Sequence, residues 1–143
     1  IYATIHHAKF GRSEVRLQTL PGQIGGKLAG ELIIRGKVDR IQTVDIELVC
    51  QREVTVGSGK QRRTTTTVLW QAATRVDVWT MFHGLEVAAK FSFDIPPDCR
   101  PVDDTQCGDV VRWKLKAKAE VPGVDFGMDV DVPVFNVESV QRR

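Results

Sequence analysis

Period-two alternation of apolar and polar side chains constrains this chain more than any other feature. From Val44 to Gln51, Val44, Ile46, Leu48 and Cys50 alternate with Asp45, Glu47 and Gln51. From Val111 to Ala119, apolar residues at every odd position alternate with Arg112, Lys114, Lys116 and Lys118. A strand turns successive side chains to opposite faces, whereas a helix repeats every 3.6 residues. Such runs bury one clean face only as strands. The same period appears at Val15 and Leu17, then along Leu28, Gly30, Leu32 and Ile34, and along Val87, Ala89, Phe91, Phe93 and Ile95. Met128, Val130, Val132 and Val134 repeat it after Phe126. Pro21-Gly22, Gly25-Gly26, Pro96-Pro97 and Pro122-Gly123 punctuate these runs as turns. Composition agrees, with 39 Val, Ile and Thr residues against 17 Ala and Leu, since β-branched side chains suit a pleated surface.

The last two runs predict their own register. Apolar positions are odd-numbered in the first run and even-numbered in the second, so paired residues must sum to an odd number. A turn over Pro122 and Gly123 gives a sum of 245, which sets Lys116 opposite Asp129, Lys114 opposite Asp131, Ala119 opposite Phe126 and Ala117 opposite Met128. Opposite charges then meet outside, and small meets large inside. With about seven strands, each apolar on one face, two sheets must cover one another. The expected architecture is an all-β sandwich of antiparallel strands. The 143 residues suffice for one domain, with boundaries expected at 1–13 for an N-terminal segment, 14–137 for the sandwich and 138–143 for a C-terminal tail.

Several motifs carry a family resemblance. Phe91-Ser-Phe-Asp-Ile-Pro96-Pro97, a loop, and then Val111-Arg-Trp113-Lys-Leu115-Lys-Ala117 resemble the F-x-F-x-[IL]-P and [VI]-x-[WY]-x-[LV]-x-A strands of arrestin-type domains. Gly26-Lys-Leu28-Ala-Gly30-Glu-Leu32 is similar to the opening strand of such domains, and Val44 to Cys50 to the strand after it. The resemblance spans roughly residues 14–136 and implies an immunoglobulin-like sandwich of the arrestin and sporulation-control type. It extends to uncharacterised bacterial inner-membrane proteins, in which a stretch similar to Phe10–Gly26 follows a transmembrane helix. That implies a soluble domain tethered to a membrane, with 1–13 as its membrane-proximal linker and the cytoplasmic side favoured. The longest uncharged stretch here, Thr64 to Thr74, has 11 residues, short of the ~20 that a helical span needs.

The residues offer little chemistry. His6 and His7 are adjacent and would point to opposite faces of a strand, His83 is remote, and there is no C-x-x-C or H-x-x-x-H, so no metal site is expected. No G-x-S-x-G elbow is present. Gly59-Lys60 fails as a phosphate loop, because Val54 stands where the first glycine belongs and Gln61 where Ser or Thr belongs. Asp98, Asp103, Asp104 and Asp109 form an acidic loop without the D-x-[DN]-x-[DN]-G pattern of a calcium site. Cys50 continues a buried face, while Cys99 and Cys107 read as loop thiols that could pair in an oxidising compartment. No catalytic residue and no cofactor are expected.

Two surface features remain. Lys60, Arg62 and Arg63 sit in a Gly-containing loop able to meet an anion or a partner. Thr64, Thr65, Thr66 and Thr67 open a strand, running to Val76, whose composition suits a sheet edge. Trp113 falls on the core face, while Trp70 and Trp79 are each open to a core or an anchoring role. The expected function is a non-catalytic protein-interaction or scaffold domain, part of a larger membrane-associated bacterial protein. Its partner would be a protein or an anionic lipid surface, and a net charge of +2 gives no reason to expect nucleic acid. The alternative is a small-ligand-binding or enzyme accessory sandwich.

Overall fold

The computed structural model describes residues 3–7, 12–19, 22–35, 41–81, 85–121 and 124–135. The connection Gly36–Arg40, the Pro122-Gly123 turn, His83 and the tail 138–143 lie outside the described residues. Twelve strands form, in order β1 (Ala3–His7), β2 (Arg12–Leu17), β3 (Gly22–Gln23), β4 (Lys27–Arg35), β5 (Thr43–Val56), β6 (Arg63–Asp77), β7 (Trp79–Met81), β8 (Glu86–Asp94), β9 (Asp103–Gln106), β10 (Asp109–Val121), β11 (Val124–Asp131) and β12 (Val134–Phe135). The alternating runs of the sequence become β2, β4, β5, β8, β10 and β11, and the Thr64–Val76 strand becomes β6. The other five strands are short. One of them, β1, lies within the N-terminal segment 1–13 and pairs antiparallel with β2.

The strands form two facing sheets. One runs β1-β2-β4-β8-β7, the other β11-β10-β5-β6 with β9 beside β10, and a parallel pair β12-β3 joins two short stretches. The register of β10 and β11 has the sum of 245 that the charge and size pattern demanded, with Lys116 beside Asp129 and Ala117 beside Met128. Between the sheets, Leu28, Leu32, Val44, Ile46, Leu48, Cys50, Val87, Phe91, Trp113 and Leu115 belong to one buried cluster. Apolar burial of this kind is the main stabilising term of such a domain.

The outer face of the first sheet carries a buried charge. Glu14, Ile33, Ala88 and Trp79 lie in one row across β2, β4, β8 and β7. Glu14 is only 4% exposed, and its Oε1 accepts from Arg35 Nη2 at 2.6 Å and from Arg16 Nη2 at 2.8 Å. Arg35 also reaches Glu86 at 3.4 Å. Burial pushes the Glu14 carboxyl up, but the Arg35 hydrogen bond and the two guanidinium charges outweigh it, and the net shift is downward. A carboxylate whose pKa is lowered by folding stabilises the native state above its unfolded value, and the contribution is lost as pH falls through the folded one. Glu14→Gln should therefore lower stability at neutral pH and flatten its fall on acidification below about pH 4.5. Urea unfolding midpoints measured across that range check this.

Candidate functional site

The fold gathers the sequence's surface candidates on one hairpin. β5 and β6 pair along their whole length, from Thr43 beside Asp77 to Val56 beside Arg63. The turn between them is tight because Gly57 and Gly59 adopt φ of 86° and 58°, a region that favours glycine. Residues Gly59–Gln61 form one 3-10 turn. Lys60, Arg62 and Arg63 are all exposed at this tip. Thr64, Thr65, Thr66 and Thr67 follow on β6, exposed in the same way, with Thr64 and Thr55 hydroxyls 2.9 Å apart across the ladder.

One irregularity separates this arm from the sandwich. Cys50 pairs with Trp70 but Gln51 pairs with Val68, so Leu69 is an extra residue, a β-bulge. Below it Trp70, Ala72 and Val76 pack against the core, and the Trp70 ring lies 5.6 Å from that of Trp113. Above it every residue of β6 is exposed, including Val68 and Leu69. β6 stands at the end of its sheet, and among the described residues no strand pairs with its other side. From Thr64 to Thr74 it carries no charge to blunt that edge.

The remaining candidates are dispersed or occupied. Asp109 receives both Arg52 nitrogens, at 2.9 and 2.7 Å, and that hydrogen bond holds its carboxyl below the usual range. Asp103 instead accepts from the Thr105 amide and hydroxyl. The basic stripe on β10 is met by acids: Arg112 contacts Glu53 and Asp131, and Lys114 contacts Asp129. All three cysteines are free thiols. Burial pushes Cys50 up to about 11, far from the low values that make a thiol a nucleophile. No group of three or more potential metal ligands occurs among the described residues. A cleft of about 210 Å³ lies between Val102, Val110, Arg112, Trp113 and Asp131. A shallower groove of about 510 Å³ crosses Lys27, Ala29, Lys90 and Ser92. Neither of these two includes Trp70 or Trp79. No helix among the described residues is long and apolar enough to cross a membrane.

Sequence reasoning did not find the bulge that divides β6, although the unbroken apolar triplet Val68-Leu69-Trp70 signals the lost alternation. It also left open Trp79, which lies 57% exposed on the first sheet.

No family model and no curated protein sequence matches this chain. Among solved structures, it is similar to the sporulation control protein Spo0M from Bacillus subtilis, with a TM-score of 0.54 and 13% identity. The match covers 91% of this chain and 54% of that one, so this chain spans about half the length of its structural neighbour. Together with the two facing antiparallel sheets, the match shows that this chain has an arrestin-like β-sandwich fold.

Proposed function

We propose that this domain is a non-catalytic interaction module that adds an extended strand of a partner protein to the free edge of β6. The observation that carries this reading is an exposed edge strand, uncharged from Thr64 to Thr74, at the end of its sheet. Unpaired backbone donors and acceptors along an edge are a template for another strand. Lys60, Arg62 and Arg63 stand where the added strand would leave the edge, placed to meet anionic groups of the partner.

The test selects extended peptides that bind the chain from a random library and maps them by amide hydrogen exchange. Protection should appear along β6 and nowhere on the first sheet. Replacing Lys60, Arg62 and Arg63 together with Ser should weaken the selected peptides several-fold without changing the unfolding midpoint. Thr65→Pro and Thr66→Pro separate edge from ladder, because neighbouring residues turn their amides to opposite sides of a strand. One of the two should abolish binding while leaving the fold intact. Protection confined to other strands would overturn strand addition. Membership in a larger membrane-associated bacterial protein, with this domain on the cytoplasmic side, is also proposed here on the sequence resemblance. Fractionating cells and testing protease access from each side of the membrane check it.

A further inference from the structure

A second exposed apolar surface lies at the opposite end of the sandwich. β6 runs from the basic tip to Asp77, and Val78 N then donates to Gln42 O at 3.0 Å as the chain crosses to β7. β7 pairs with the start of β8, Trp79 beside Ala88 and Met81 beside Glu86. The β7–β8 turn thus points away from the arm. Trp79 and Met81 share the outer face of the first sheet at 57% and 37% exposure, and Leu85, entering β8, is 58% exposed.

We propose that this hairpin end docks on a phospholipid bilayer, seating Trp79, Met81 and Leu85 in the interfacial layer while Lys90 meets a headgroup phosphate. Charge supports this occupant. Residues 79–85 contain no Asp or Glu. Glu86, the next acid, is held by Arg35 at 3.4 Å, and Asp77, the preceding one, belongs to the other sheet beside Thr43. Docking would therefore desolvate no free carboxylate. Lys90 Nζ lies 4.9 Å from the centre of the Trp79 ring. An indole at headgroup depth with a cation on its face matches the chemistry of the membrane interface. The apolar exposure is also small and convex. Along the same face it gives way to Lys90, Glu31 and Arg16. A stable protein interface covers roughly 800 Å² per partner, far more than three side chains at a turn present. A fluid lipid surface accepts a convex tip without a matching pocket.

The test is independent of strand addition at β6. The chain is mixed with vesicles of phosphatidylcholine and phosphatidylglycerol and followed by cosedimentation and tryptophan emission. Trp113 is fully buried and Trp70 half-buried, so Trp79 is the indole that reports. Binding is expected, with a blue shift and with quenching by brominated acyl chains. Trp79→Ser with Leu85→Ser should lower partitioning by roughly tenfold or more, with circular dichroism and the urea midpoint unchanged. The proposal is overturned by absence of binding or by binding that survives the double substitution. Binding lost only when Lys60, Arg62 and Arg63 become Ser would place the lipid contact at the other end and overturn it equally.

Discussion

Trp113→Ala is expected to cost ~3–5 kcal/mol, the usual range for truncating a large buried aromatic. Against a typical total of ~5–15 kcal/mol, that leaves the chain close to unfolding. The ring is fully buried and does three things at once. Its bulk belongs to the core between the two sheets. Its face meets Trp70 at 5.6 Å, anchoring β6 just below the bulge where the exposed arm begins. Its Nε1 donates to the Arg100 carbonyl at 2.7 Å, pinning the connection that follows Pro96-Pro97. Cys50 Sγ reaches the same carbonyl only at 3.8 Å and is a weak donor, so it cannot replace the indole. Trp113→Phe keeps most of the ring and removes the donor, for which the cost is ~1–3 kcal/mol. Urea unfolding followed by circular dichroism separates the two. An alanine variant as stable as the phenylalanine one would show that the hydrogen bond, not the ring, holds this region. Arm exchange should rise in both variants, because each loosens the base on which β6 stands.

The parts of this fold legible in the sequence are those in which one strand's own pattern settles the matter. Lys114, Lys116, Asp129 and Asp131 disclose a register because charge alternates on one face while size alternates on the other. Thr64 to Thr67 disclose an edge because threonine tolerates water on both faces of a strand. The short strands β3, β9 and β12 have two to four residues each, too few for a period, and tertiary neighbours decide their pairing. β7 is similar: Trp79-Thr-Met reads equally well as strand or loop until β8 supplies the ladder. Glu14 was illegible for another reason. Its position on β2 marks it as outward-facing, and outward it is, yet Arg35, 21 residues away, covers it. Nothing local announces such a partner. The candidate site divides likewise. The basic tip and threonine run are adjacent in sequence and stay together, whereas Trp79 gained meaning only when β7 reached the end opposite the arm.

Gly30→Ala is expected to destabilise the chain by up to ~3 kcal/mol, the upper part of the range for overpacking a core. Its backbone makes no demand that alanine cannot meet; the obstacle is space. A Cβ there would lie 2.4 Å from the Arg16 carbonyl oxygen and 3.0 Å from Phe91 Cζ. A ring can rotate away, but a carbonyl moves only with its strand. β2 has little freedom at this level, since Gln18 N and Thr19 N both donate to Ala29 O, at 2.8 and 3.3 Å, and Thr19 Oγ1 accepts from Ala29 N at 2.9 Å. The methyl must therefore part β2 from β4 or strain these bonds. Phe91→Leu tells which contact matters. If the ring is the obstacle, Gly30→Ala costs less in the Phe91→Leu background than alone; if the carbonyl is, the two costs add. Additivity is the expected result, measured as unfolding free energies of the four proteins. Parting β2 from β4 also draws Glu14 from Arg35, which sit on those two strands. Gly30→Ala should then share the flattened acid response of Glu14→Gln, a signature that a clash confined to the Phe91 ring would not produce.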